Sequence, residues 1–299
     1  MNAPLTPRQW GLLLLLALAW GGSFFFMAVA GRAWPPFTVV LSRVVLASAL
    51  LWLLLAMNRQ RLPLRRPVLL ACLGMALLNN LIPFSLIVWA QQSIPSSLAS
   101  VVNAATPVLT ALVAHLATAD EKLSGHRLGG VLVGLGGVAV LAGPAAFGAG
   151  AELPGILAGL GACLSYACAG VWGRRFRRMG VPPLAAAAGQ TTASILLALP
   201  LVLLLDQPWH LPPPGAEVVL AVLALGLLST GVAYALFFRL LAEAGATNTA
   251  LVTQLVPVMA ILLGVLVLGE ALLPRHLAGM ALIALGFLLL DGRLRRRAA

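Results

Sequence analysis

The sequence is cut by charges, prolines and glycines into ten continuous apolar runs, at approximately residues 10–30, 36–57, 68–90, 95–118, 127–147, 155–173, 184–205, 218–241, 246–268 and 275–291. About 20 residues of α-helix cross a hydrocarbon core of roughly 30 Å. Inside lipid, every backbone N–H and C=O must be satisfied within the segment or by a closed barrel. A barrel is excluded, because its strands alternate polar and apolar residues over about 10 positions, and these runs do not alternate. Of the 299 residues, 61% are apolar and 9% charged, against about 45–50% and about 25% in soluble domains. A soluble fold, a disordered chain and a coiled coil are excluded by the same comparison. The connections between runs are short, so no soluble domain is inserted. Cys72, Cys163 and Cys168 fall inside apolar runs without metal-ligand spacing and read as small buried hydrophobes.

The formal net charge is +11, but the basic residues sit in short clusters between runs, which is not a nucleic-acid-binding pattern. With ten spans both termini share a side. The loops on that side carry 16 of the 19 Lys and Arg residues, the opposite loops carry Arg32 and Arg275, and Arg43 alone lies within a run. The positive-inside rule then predicts cytoplasmic N and C termini. A cleaved signal sequence ending at Ala28-Val29-Ala30 was the competing reading of the first run; removal would leave nine spans and break the repeat described next.

The two halves align. Asn79-Asn80 falls on Ser229-Thr230, Phe84 on Tyr234, Asn103 on Thr253 and Pro107 on Pro257, all at an offset of 150. Glu121 meets Glu270 at 149, Pro35-Pro36 meets Pro182-Pro183 at 147, and Trp20 meets Tyr166 at 146. Offsets that drift slowly, with changes in the loops, indicate a duplicated unit covering 1–150 and 151–299. Five spans per unit is an odd number, so the second copy enters the membrane from the opposite side. The expected fold is therefore all-α and integral to the membrane, with ten transmembrane helices arranged as two inverted five-helix repeats. Inverted repeats can exchange conformations, which opens a midplane site to one side and then the other.

Trp20-Gly21-Gly22, Arg43, the small-residue run to Pro107 and Glu121 together resemble an EamA-type unit, and Pro257 with Gly269-Glu270 closes the second unit similarly. The pair resembles ten-span members of the drug/metabolite transporter superfamily over nearly the whole chain, most nearly the bacterial exporters of aromatic and other neutral amino acids. The second copy departs from the pattern, with Tyr166 where Trp20 stands and Gln190 where Arg43 stands. The resemblance implies a multi-pass protein of the bacterial inner membrane.

Polar side chains are costly in lipid unless they face protein or a water-filled cavity, so mid-run polar residues are candidates for a transport path. Asn79, Asn80, Asn103, Gln190 and Gln254 offer amide donors and acceptors that suit a zwitterion. Trp20, Phe84, Tyr166 and Tyr234 supply aromatic walls. Interhelical hydrogen bonding and ordinary packing are the competing roles for these residues. Arg43 can snorkel, cap a helix end or attract a substrate carboxylate. Pro107 and Pro257 are candidate hinges, since each frees a carbonyl one turn back. No Asp or Glu lies mid-run, so facilitated movement of a substrate without net charge is expected rather than proton coupling.

These features predict a secondary transporter that exports small amphipathic metabolites, foremost aromatic or other neutral amino acids, by alternating access. It performs no chemistry and needs no cofactor or metal. Its partners are a small-molecule substrate and the lipid bilayer, and it works as a monomer or a homodimer. An exchanger of sugar phosphates or nucleotide sugars is the alternative within the same fold, although phosphate calls for more fixed cations than Arg43. A lipid enzyme of the membrane would need a grouped set of acid, base or metal-ligating residues, and the acids here are scattered at run ends.

Overall fold

Proline stands in the first turn of most of the helices, where its missing N–H is no loss and its fixed φ favours helical entry. The first helix shows the full device: Thr6 and Gln9 form a reciprocal capping box, with Pro7 at the first helical position. The computed structural model describes residues 5–118, 125–143, 152–249 and 251–291. Its helices are α1 (Pro7–Ala30), α2 (Pro36–Met57), α3 (Arg66–Ala90), α4 (Ser96–Ala117) and α5 (Gly125–Ala142). The second half continues with α6 (Leu153–Arg178), α7 (Pro183–Asp206), α8 (Ala216–Leu241), α9 (Val252–Leu268) and α10 (Pro274–Asp291). No strand occurs among the described residues.

Each expected run falls on one of these helices. Seven of them, α1 to α4 and α6 to α8, are long and apolar enough to cross a membrane. The other three carry shorter apolar stretches, Leu128–Ala142, Val252–Leu268 and Pro274–Leu289. The run predicted at 246–268 starts earlier than α9, because the chain from α8 stays helical to Thr249 across a kink at Gly245, where φ is 79°. The other departures from plain helix fall within the helices. α4 is two pieces, Ser96–Asn103 and Thr106–Ala117. π-helical turns interrupt α3 at Ala76–Leu81 and α8 at Ala224–Val232, and α7 ends in one at Val202–Asp206.

Helices pack in pairs that exchange when the halves are swapped. α1 lies on α9 as α6 lies on α4; α3 lies on α6 as α8 lies on α1; α2 lies on α8 as α7 lies on α3. α2 against α7 and α5 against α10 are each their own counterpart. Without a hydrophobic drive between helices in lipid, small residues that let backbones touch decide such packing. A Cβ at Gly137 of α5 would sit 2.8 Å from the Gly279 carbonyl of α10, and one at Gly286 would sit 2.6 Å from the Gly130 carbonyl. α1 meets α9 the same way, with Gly21 against the Val256 carbonyl at 2.8 Å. The outer faces carry exposed apolar residues such as Leu53, Leu204 and Leu266, as a surface solvated by acyl chains requires.

Candidate functional site

Between the two halves lies a cavity of about 510 Å³. Its wall is built from repeat-equivalent residues. Trp20 and Tyr166, Arg43 and Gln190, Asn79 and Ser229, Phe84 and Tyr234, Asn103 and Thr253, and Pro107 and Pro257 all line it. Every candidate named from the sequence is therefore on the wall except Asn80 and Gln254. Asn80 is fully buried beside it, donating to Ser194 Oγ at 2.9 Å and facing the Tyr234 hydroxyl at 3.5 Å. Gln254 sits half-buried on α9, and its Nε2 has no hydrogen-bond partner among the described residues. Asn79 and Thr253 line the cavity and their neighbours Asn80 and Gln254 do not, whereas in the matching pair Ser229-Thr230 both residues line it.

One side of the cavity is a polar network. Asn79 Nδ2 donates to the Tyr234 hydroxyl at 3.1 Å and lies 3.5 Å from Gln190 Oε1. Aromatic rings adjoin this network, with Trp20 and Phe237 ring centroids 5.5 Å apart and Tyr234 stacked on Phe238 at 6.1 Å. No Asp or Glu lines the cavity, and no group of three or more His, Cys, Asp or Glu residues among those described could hold a metal ion.

The break in α4 belongs to this site. Pro107 has no N–H to give the Asn103 carbonyl, and the Thr106 hydroxyl donates to that carbonyl instead, at 2.7 Å. The two candidate hinges thus differ, since α9 runs unbroken through Pro257. The π-turns belong to it too. Thr230, inside the α8 π segment, donates its hydroxyl to the Leu225 carbonyl at 2.9 Å and accepts from Arg43 Nε at 2.8 Å. π-turns cluster at functional positions, but nothing in the residue pattern marks them.

Two carboxylates at one end of the bundle, both placed at run ends by the sequence, make contacts the sequence does not show. Glu270, in the α9–α10 connection, accepts from the backbone N–H groups of Ser96 and Ser97 at 2.8 and 2.9 Å. Asp206 at the end of α7 accepts from the backbone N–H and hydroxyl of Thr38, at 2.6 and 2.8 Å. An acid from the second half thereby caps a helix N-terminus of the first half twice, where the N–H groups are unpaired and the helix dipole favours an anion. Burial raises the Glu270 pKa, but the hydrogen bonds from Ser97 and Ser96 outweigh it and leave the carboxyl below its ordinary value. At the other end, Glu243 meets Arg239 at 2.9 Å and Arg8 at 3.7 Å, and its carbonyl accepts from Gln9 Nε2. The hydrogen bond from Arg239 lowers its pKa. Glu121, the sequence counterpart of Glu270, lies outside the described residues.

A multi-pass helical membrane protein with an amphipathic cavity between its halves, and no catalytic grouping on the wall, has the architecture of a small-molecule transporter. The chain belongs to the EamA-like transporter family, whose model matches it twice, over residues 9–143 and 153–290. It is a transporter and not an enzyme. It is 30% identical to the uncharacterized inner membrane transporter YedA of Escherichia coli strain K12, over 88% of this chain and 83% of that protein. It is also 30% identical to the S-adenosylmethionine/S-adenosylhomocysteine transporter of Chlamydia trachomatis serovar D, over 95% of this chain and 87% of that one. The uncharacterized transporter YoaV of Bacillus subtilis strain 168 is 25% identical, over 92% and 93%. A solved crystal structure superposes with a TM-score of 0.69 at 25% identity, covering 98% of this chain and 99% of that chain.

Proposed function

We propose that this protein exports small amphipathic metabolites, foremost aromatic and other neutral amino acids, across the bacterial inner membrane by alternating access. In this reading ten spans form two inverted repeats, 1–150 and 151–299, with both termini in the cytoplasm. The observation that carries it is the cavity wall, where both members of six repeat-equivalent pairs are found. A site on the axis relating the halves keeps the same lining when they exchange conformations, which is what alternating access asks of a binding site. The exchange-related helix pairs and the twofold family match support the same division.

The lining favours the substrate class. Aromatic rings and apolar atoms take a ring or large side chain, while the amides of Asn79 and Gln190 and the hydroxyls of Tyr166 and Tyr234 take an ammonium or hydroxyl group. The substrates named for the Chlamydia trachomatis relative are amino acids joined to an adenine ring, which fits an amphipathic cavity of this kind. Pro107 and Pro257 are the hinges on which each half bends. With no carboxylate on the wall, movement follows the substrate gradient. Purified protein in liposomes should exchange labelled phenylalanine, tryptophan or S-adenosylmethionine for the same compound inside, and a protonophore should leave the exchange unchanged. Absence of exchange for every amino acid tested, with exchange of sugar phosphates instead, would overturn the substrate class. Accumulation abolished by the protonophore would overturn the gradient-driven mechanism.

A further inference from the structure

We propose that Arg43 is the anchor for a single substrate carboxylate and so restricts this transporter to amino acids and related monocarboxylates against their amides and amines. The proposal rests on the transport reading above and narrows it to one atom group. Arg43 is 5% exposed, within α2 and on the cavity wall. Its contacts are all neutral. Nε donates to Thr230 Oγ1 at 2.8 Å, one terminal nitrogen lies 3.6 Å from Met27 Sδ, and the guanidinium sits 3.6 Å over the Phe84 ring. Among the described residues no carboxylate lies within ion-pair distance of it.

A structural arginine within a membrane protein is expected to be paired and fully hydrogen-bonded, because an unpaired cation there is costly. Arg43 is instead held by its inner edge and one face, and its remaining donors have no partner among the described residues. Stacking on Phe84 fixes the plane of the fork, and Thr230, itself tied to the Leu225 carbonyl, fixes its rotation. A planar donor pair held in this way matches the two oxygens of a carboxylate. One anion of single charge completes the site. A phosphate dianion would need a second cation, and the wall carries no other. The repeat-equivalent position holds Gln190, so the two halves differ in charge at this point and the substrate has one orientation in the cavity.

The test compares ligands that differ only in the carboxylate. Phenylalanine is paired with phenylalaninamide, and S-adenosylmethionine with its decarboxylated form. Affinities are read from thermal shift and tryptophan fluorescence of the detergent-solubilised protein. The unmodified protein should prefer each acid at least tenfold, and Arg43→Gln should reduce that preference below threefold by weakening the acid alone. Arg43→Lys should fall between them. Equal affinity within the pairs, a preference that survives in Arg43→Gln, or no binding of either acid would each overturn the proposal. Should Arg43→Gln fail to fold, the acid preference of the unmodified protein still decides. Saturable exchange of the amides in liposomes would leave the transporter intact and remove the anchor. Acid-selective binding with no exchange of any ligand would do the reverse.

Discussion

Replacing Glu270 by Gln removes the charge from a group that ties the second half of the molecule to the first. The carboxylate caps α4 through two backbone N–H bonds, at 2.8 and 2.9 Å. Two charge-assisted bonds at a partly solvated helix N-terminus are together worth about 2–3 kcal/mol, and Gln retains one acceptor at reduced strength. If that contact exists only when this end is closed, losing about 2 kcal/mol raises the open population roughly 30-fold. Cysteine placed at Met27, which lines the cavity, in a background lacking Cys72, Cys163 and Cys168, should be labelled by an impermeant thiol reagent in proportion. Intact cells are the assay, since the Glu270 end is the periplasmic one in the proposed topology. Acid should act as the substitution does. The Glu270 pKa is depressed when capped, so the stabilisation is present above the free carboxyl value of about 4.3 and fades as pH falls through the lower, capped value. Equal labelling of Met27→Cys with and without Glu270→Gln would refute the argument that this contact holds the end shut.

Three other pairs of substitutions probe separate parts of the structure. Asn80→Ala should lower the unfolding free energy by about 1 kcal/mol, because it removes the buried hydrogen bonds of Asn80 to Ser194 and Tyr234 while Ser194 keeps the Gln190 carbonyl and Tyr234 keeps Asn79; Asn79→Ala should leave melting near normal and weaken substrate binding, as liposome exchange would register. Gly137→Val should sharply reduce folded yield in detergent chromatography, since its Cβ alone meets the Gly279 carbonyl at 2.8 Å, whereas Gly136→Val, with nothing within 4 Å, should be tolerated. Cysteine at exposed Arg178 should resist external labelling in intact cells while cysteine at exposed His210 reacts, as the charge distribution requires.

The helices and the membrane class were legible because lipid enforces long apolar runs, and most residues of the cavity lining stood out because they pair at offsets of 146 to 150 along the sequence. The same offsets could have carried the reading further. Arg43 aligns with Gln190 at an offset of 147, and Gln190 was a candidate, so the arginine could have been placed on the wall by equivalence alone. Adjacency alone did not decide the lining: Asn79 and Thr253 are on the wall and Asn80 and Gln254 are not, but Ser229 and Thr230 both are. The caps by Glu270 and Asp206 were hidden because their partners are backbone groups of a distant helix, which leave no complementary residue to find. The break before Pro107 was half visible, in that proline announces an unpaired carbonyl but not that the Thr106 hydroxyl would fill the vacancy.

The π-turns of α3 and α8 sit at repeat-equivalent depth, over Ala76–Leu81 and Ala224–Val232. Such a turn holds one residue beyond what an α-turn needs for nearly the same climb. It is the helical equivalent of a dislocation in a crystal: a spare unit accommodated locally, with the lattice intact on either side. Deleting one residue there would leave both ends of the helix in register with their neighbours and alter only which side chains the cavity sees. Elsewhere in these helices the same deletion would rotate everything beyond it by about 100° and unseat the packing. The two turns are therefore places where this scaffold can change the chemistry of its cavity wall through a length change of a single residue without rebuilding the bundle.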